Sequence, residues 1–315
     1  MARRKKGRII NGWINLNKPA DMTSTDAVAF VRRTLDAQKA GHGGTLDPLA
    51  HGVLPIALGE ATKTVPYCQD RLKTYIFDVI WGETRDTDDA EGTIIATSPH
   101  RPAQEDIVKI LPHFTGIIAQ TPPQYSAIKV DGQRAYDRAR DGKVTELAPR
   151  DVYIESLTLE SASQDKVRLR CVCGKGTYIR ALARDIAAML GTCGYVGYLE
   201  RAAVGAMTIE NAISLAKLEE IGNSLPPEDI SDDILLPVET VLDDIPALAL
   251  NEQEAARLKN GQKLSFIARP DVERLRKAGI DPQDDHTALV TLNGRALAIV
   301  TVSGIDIQPL RLLNT

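Results

Sequence analysis

The chain has 315 residues, enough for about two domains of ordinary size and for a core that needs no covalent staples. Its four cysteines, Cys68, Cys171, Cys173 and Cys193, have neither the density of a disulfide framework nor the paired Cys/His spacing of a zinc site. No stretch of about 18 apolar residues is present, and the basic residues Arg3, Arg4, Lys5, Lys6 and Arg8 precede no apolar signal segment, so a cytoplasmic protein is expected. The net charge of −4 conceals a division: residues 1–209 carry 28 Lys and Arg against 24 Asp and Glu, residues 210–245 carry 1 against 10, and residues 246–315 carry 9 against 8. A weakly basic front and a neutral tail, separated by an acidic connector, permit a face that binds a polyanion.

After a basic tail at 1–8, the apolar alternation of Gly12–Lys18, closed by Pro19, predicts a short strand. A helix follows, with Ser24 or Thr25 as cap and Ala27, Val28, Val31 and Leu35 as its apolar stripe, fading before Gly41. The run 40–52 holds four glycines and is expected to be loop. Strands are expected near 74–81, 152–159 and 166–173; in the last, Val167, Leu169, Cys171 and Cys173 face one way and Arg168, Arg170 and Val172 the other. Gly174–Thr177 then leads into a helix with Ile179, Leu182, Ile186 and Leu190 at helical spacing and Gly191 as its stop. Residues 210–245 form an acidic connector, and 222–246, with Pro226-Pro227, reads as its loop-rich part with room for one short helix. Beyond it, Asn251 and Glu254 make a capping box for a helix ending at Gly261, and Ala288–Leu292, Asn293-Gly294 and Ala296–Val302 spell a type I′ hairpin. This last unit, 246–315, is small and strand-rich, which suits a binding appendage better than a catalytic centre.

Chemistry is therefore sought upstream. Asp47 precedes Pro48, which biases it toward an extended conformation that can project its carboxylate; His42 is flanked by Gly41 and Gly43. Spacing alone leaves two alternatives for Asp47, a catalytic acid or a turn former. The acidic run Gly82–Gly92 lacks the oxygen ligand an EF-hand needs at Ala90 and reads as a solvated turn. Arg180 and Arg184, one helical turn apart, read as solvated-face residues. The five histidines are scattered, so no metal site is expected. Gly174-Lys175-Gly176 lacks the spacing of a phosphate-binding loop, so no nucleotide cofactor is expected either.

The segment Gly41-His42-Gly43-Gly44-Thr45-Leu46-Asp47-Pro48-Leu49-Ala50, continuing through Gly52–Ile56, resembles the active-site motif of the TruB family of tRNA pseudouridine-55 synthases. Asn17-Lys18-Pro19, Gly59–Lys63, Pro122–Ala127 and Lys175–Arg180 resemble further blocks of that family, in the same order. The resemblance spans residues 9–210; residues 247–315 resemble, through weaker motifs, a PUA-type RNA-binding domain. Arg85 departs from the family's Thr-Asp-Thr core. The resemblance implies an α+β catalytic domain at 9–245, with a mixed, largely antiparallel sheet flanked by helices and an RNA-gripping insertion near 120–150. It implies isomerisation of uridine 55 in the T loop of tRNA by a monomer with no cofactor. It assigns Asp47 as the catalytic carboxylate, Arg180 as its ionic partner, and Tyr75, Tyr178 and Leu199 as the walls of the uridine pocket. His42 would enter the T loop, and Lys18, Lys129, Arg134 and Arg138 would bind RNA. Two other functions fit the same residues: a non-catalytic tRNA-folding helper, and the subunit of a guide-RNA-dependent pseudouridine synthase.

Overall fold

The structure, a computed structural model, describes residues 7–126, 129–130, 133–134, 147–224, 226 and 229–314, with 129–130 and 133–134 as backbone only. The first part of the chain forms β1 (Gly12–Lys18), α1 (Ser24–Thr34), β2 (Ala40–His42), β3 (His51–Leu58), α2 (Val65–Asp70) and β4 (Lys73–Trp81). The small strands β5 (Glu83–Arg85) and β6 (Ile94–Thr97), helix α3 (Gln104–Ile110), β7 (Gly116–Gln120), and the two-residue strands β8 (Lys129–Val130) and β9 (Gln133–Arg134) follow. Then come β10 (Arg150–Ala162), β11 (Lys166–Cys173), α4 (Ile179–Met189), β12 (Gly194–Val204), β13 (Met207–Thr208), β14 (Ile213–Ser214) and α5 (Leu215–Ser224).

A ten-stranded sheet runs in the order β14-β1-β3-β12-β4-β11-β10-β7, with β2 beside β3 and β13 beside β12. Only β1–β14 and β3–β12 pair in parallel, so the sheet is mixed and largely antiparallel. Alternation explains its centre: Val167, Leu169, Cys171 and Cys173 of β11 are buried and pair in register with Val79, Phe77, Tyr75 and Lys73 of β4. Helix α4 packs its Ile179, Leu182, Ala183 and Ile186 into the same core, and Gly191 ends it with φ +67°.

The second sheet, β15-β17-β18-β19-β16, is built from β15 (Ala247–Ala249), β16 (Leu264–Ser265), β17 (Asp285–Leu292), β18 (Arg295–Ser303) and β19 (Asp306–Leu312), with helices α6 (Glu252–Lys259) and α7 (Arg269–Lys277) beside it. The Asn251/Glu254 capping box forms, and Asn293 and Gly294 both take positive φ, as a type I′ turn demands. This sheet has its own apolar cluster around Leu258, Leu275 and Val300. A further cluster joins Trp13 to Val238, Val241, Leu289 and Ile299 across the two sheets.

Three local expectations are revised. Thr23, not Ser24 or Thr25, caps α1: its side chain accepts the Asp26 N–H at 3.0 Å. The glycine-rich run is loop only in its middle, because its ends find strand partners, Ala40 opposite Leu58 and His51 opposite Glu200. The acidic connector is not loose: Leu236 exchanges backbone hydrogen bonds with Trp13, both 2.8 Å, and Val238, Val241 and Leu242 are buried while Asp243 and Asp244 stay at the surface beside Arg71. Apolar spacing, rather than charge density, decided its packing.

Candidate active site

Residues 43–50 form the loop between β2 and β3, and side chains from several elements hold it in place. Gly43 has no alternative here, since a Cβ would collide with Cys68 Sγ; its N–H donates to Pro55 O at 2.8 Å. From below, the buried Arg201 on β12 donates to Gly44 O and Thr45 O, each 3.1 Å, and to Val53 O at 2.7 Å. From α1, Ser24 bonds the backbone of Leu46. Lys18, at the end of β1, donates to Pro19 O, Met22 O and Pro48 O at 2.8, 2.7 and 3.3 Å. Each device satisfies a carbonyl that a loop packed against a core would otherwise leave unpaired.

Asp47 leaves this loop toward the first turn of α4. Its Oδ2 accepts from Arg180 Nε at 2.9 Å, and Arg180 also faces Asp89 Oδ2 at 3.3 Å and donates to Thr87 O and Tyr125 O, each 3.0 Å. A cation in the first turn of a helix opposes the helix dipole, and two carboxylates from distant segments offset that opposition. The turn itself is fixed by the buried Gln120, whose amide accepts from Tyr178 N at 2.8 Å and donates to Tyr178 O at 3.2 Å. The bonds to Asp47, Thr87 and Tyr125 use three of the guanidinium's five N–H donors, one from each nitrogen, and a guanidinium does not give up its proton.

Above Asp47 lies a cavity of about 660 Å³, lined by Tyr75, Tyr178 and Leu199 and by the Lys175–Thr177 turn. Burial pushes the phenols of Tyr75 and Tyr178 above their ordinary range, so both remain protonated walls at neutral pH. Glu91 opens on the rim, where burial and then the charge of Asp89 raise its carboxyl. Among the described residues, no group of three or more His, Cys, Asp or Glu side chains is arranged to hold a metal ion.

The structure thus brings Asp47, Arg180, Tyr75, Tyr178 and Leu199 to one cavity. It does not bring Lys18 to an RNA-facing surface: the side chain is fully buried, its ammonium is spent on the three loop carbonyls, and burial pushes its pKa down to about 8. His42 lies beside the cavity rather than in its lining; its Nδ1 accepts from Gly44 N–H at 3.3 Å, and burial, followed by the charge of Arg201, keeps it below the usual histidine range. Lys129 and Arg134 pair with each other across β8 and β9 by backbone, whereas Arg138 lies outside the described residues.

Two solvated-face expectations fail. Arg180 is buried, and Arg184 is half-buried, donating to Asp88 Oδ2 at 2.9 Å and to Thr121 O at 2.7 Å. The acidic run is likewise no solvated turn. Asp88 and Asp89 are buried because these two arginines draw them in, and burial pushes Asp88 up to about 6 against the pull of Arg184 and Arg180. Sequence reasoning passed over Arg201, Gln120 and Ser24. For Arg201 the available signal was a charged residue on the inward-facing alternation of β12, beside Leu199.

Known proteins show the same architecture. The chain superposes on the crystal structure of a Cbf5-Nop10-Gar1 complex with a TM-score of 0.72 at 23% identity, covering 97% of this chain and 85% of that one. It matches an H/ACA RNP bound to a substrate RNA containing 2′-deoxyuridine equally well, at 0.72 and 20% identity, covering 100% and 92%. The fold is that of the pseudouridine synthases. Residues 32–179 match the family model described as TruB family pseudouridylate synthase (N terminal domain), and residues 180–243 match that of the tRNA pseudouridylate synthase B C-terminal domain. The chain is 50% identical over 313 residues to tRNA pseudouridine synthase B of Bradyrhizobium diazoefficiens, covering 99% of this chain and 88% of the relative. To the protein of the same name from Rhodospirillum rubrum it is 48% identical, with both chains covered completely. The chain belongs to the TruB family of pseudouridylate synthases.

Proposed function

We propose that the protein isomerises uridine 55 in the T loop of tRNA to pseudouridine, using Asp47 as the single reacting carboxylate and needing neither cofactor nor metal. The observation that carries this is Asp47 itself: its carboxylate opens on the cavity while the buried Arg180 secures its charge from behind. Relatives of about half identity over nearly the whole chain bear the name tRNA pseudouridine synthase B, which supports tRNA as the substrate class.

The reaction breaks the bond from ribose C1′ to uracil N1, turns the base and joins C1′ to C5; C5 then loses its proton and N1 gains one, so substrate and product are isomers. The nucleotide must leave its stack, at a cost of a few kcal/mol, and be held in a closed pocket. Tyr75, Tyr178 and Leu199 supply aromatic and apolar walls for the flipped base. Glycoside hydrolysis ordinarily uses two carboxylates, one of them to activate water or attack; an isomerisation that keeps its base needs one and must exclude water. The flipped base takes the place of water beside Asp47, and the Arg180 guanidinium remains bonded to the carboxylate when that water leaves. His42 fills the space the base vacates, and the 246–315 unit, as a PUA-type module, adds affinity for RNA.

The test is to incubate the purified protein with an unmodified tRNA transcript and nothing else, then map pseudouridine by position. Conversion confined to position 55 and absent in Asp47→Asn is expected. Modification at another position, or a requirement for a second RNA or protein, would overturn the assignment.

A further inference from the structure

Ser24 begins α1, yet the helix is capped by its neighbour Thr23. That frees the Ser24 hydroxyl for another task. The residue is 4% exposed, and its Oγ both donates to Leu46 O and accepts from Leu46 N–H, each at 2.8 Å. One side chain therefore satisfies both backbone polar groups of the residue immediately before Asp47, much as a neighbouring strand would. Leu46 has no strand or helix partner of its own, so without Ser24 these two buried groups would be unpaired.

We propose that Ser24 is a positioning residue for Asp47. The two peptide units flanking Leu46 set the direction in which the Asp47 side chain leaves the loop. Ser24 holds them against α1, and α1 is anchored in the core through Ala27 and Val31. Downstream, Pro48 O is held by the Asp21 N–H at 2.8 Å and by Lys18, so the loop is pinned on both sides of Asp47. Arg180 then constrains the carboxylate at one oxygen and leaves the other free for the nucleotide. The inference rests on Asp47 being the reacting carboxylate.

A reacting group displaced by about 1 Å loses rate by about a hundredfold, whereas substrate binding through other residues is unaffected. Ser24→Ala is therefore expected to lower the single-turnover rate on an unmodified tRNA transcript by about tenfold to a hundredfold, with the tRNA Kd within about twofold of the wild type. Ser24→Thr, which keeps the hydroxyl, is expected to restore most of that rate. Val167→Ala, a buried truncation on β11, where Val167 pairs with Val79 and makes no bond to the loop, should lower Tm and leave the rate unchanged. A Ser24→Ala protein with the wild-type rate, a loss confined to Kd, an equal rate loss in Val167→Ala, or a folded Ser24→Thr no faster than Ser24→Ala would each overturn the assignment. Should Ser24→Ala not fold, Ser24→Cys, which fills the space with a weaker hydrogen-bonding group, takes its place in the comparison with Ser24→Thr. An Asp47-dependent wild-type activity together with a fully active Ser24→Ala sinks the Ser24 assignment alone. A wild-type protein that forms no pseudouridine sinks the reading of Asp47 and the Ser24 assignment with it.

Discussion

At the cavity the arginine is the buried partner: the Arg180 side chain is 7% exposed and that of Asp47 33%. On the opposite face of β4 the arrangement is inverted, for Asp78 is 5% exposed while its partners Arg168 and Lys166 are 36% and 51% exposed. Asp78 spends both oxygens, accepting from Arg168 Nε at 2.6 Å, from Arg168 Nη2 at 3.0 Å and from Lys166 Nζ at 3.0 Å. Asp47 accepts through one oxygen from Arg180. The Asp78 pair buries the acid and saturates it; the Asp47 pair buries the cation and, among the described residues, leaves one oxygen of the acid without a hydrogen bond at the cavity. The same two residue types thus serve two purposes, according to which of them the fold encloses.

The largest effect expected from this contrast is at Asp47. Asp47→Asn keeps the shape and removes the charge, and should lower pseudouridine formation by about 10²–10⁴-fold or more. tRNA binding should persist or tighten, because an anion facing phosphate has gone and the Lys and Arg contacts that set the salt dependence remain. Mapping of pseudouridine beside a filter-binding titration checks both. Retained conversion would make Asp47 the turn former that its sequence context also allows.

Next comes the cation. Arg180→Ala removes the buried member and strands Asp89, so a loss of about 3–5 kcal/mol in stability is expected together with the loss of activity. Arg168→Ala removes an exposed member and two of the three bonds to the enclosed Asp78, which keeps Lys166, so a smaller loss of about 1–3 kcal/mol is expected. Denaturant titrations of the two variants measure the difference directly; equal losses would break the comparison. Arg184→Ala should resemble Arg168→Ala, since its side chain is half-buried and its carboxylate partner Asp88 is likewise enclosed.

The smallest effect is a matter of sign with pH. Burial raises Asp78, but the hydrogen bonds from Arg168 and Lys166 outweigh it and hold the carboxyl below the usual range. Its contribution to stability is present above the unfolded-state pKa and is lost as pH falls through the folded value. Asp88 is opposite: burial lifts it to about 6, so the folded state binds the proton more tightly and stability falls as pH rises from the unfolded value toward 6. Melting curves between about pH 3 and pH 7 should therefore show Asp78→Asn losing ground against the wild type as pH rises, and Asp88→Asn gaining. Parallel curves for the two variants would mean that the cationic hydrogen bonds do not distinguish these two enclosed acids.

Much of the architecture could be read locally. The alternation of β11, the helix ending at Gly191, the Asn251/Glu254 capping box and the Asn293-Gly294 turn each depend on residues within a few positions of one another, and short-range sterics and apolar periodicity suffice to specify them. The run of motifs around Asp47 also pointed to the family and to the residues that meet at the cavity. What local sequence left open was which charged side chains the fold would enclose. Arg180 finds Asp47 at a separation of 133 residues, and Arg201 finds Gly44 at 157. Arg180 and Arg184 occupy the same helix face by spacing, Lys18 sits in a motif that suggested RNA, and Asp88 and Asp89 lie in a run that looked solvated. Burial of a charge is stable only when partners satisfy it, and here those partners are carbonyls and carboxylates delivered by other elements. Only the packed sheet and α4 bring them together, so the division between a solvated charge and an enclosed pair was settled by tertiary structure.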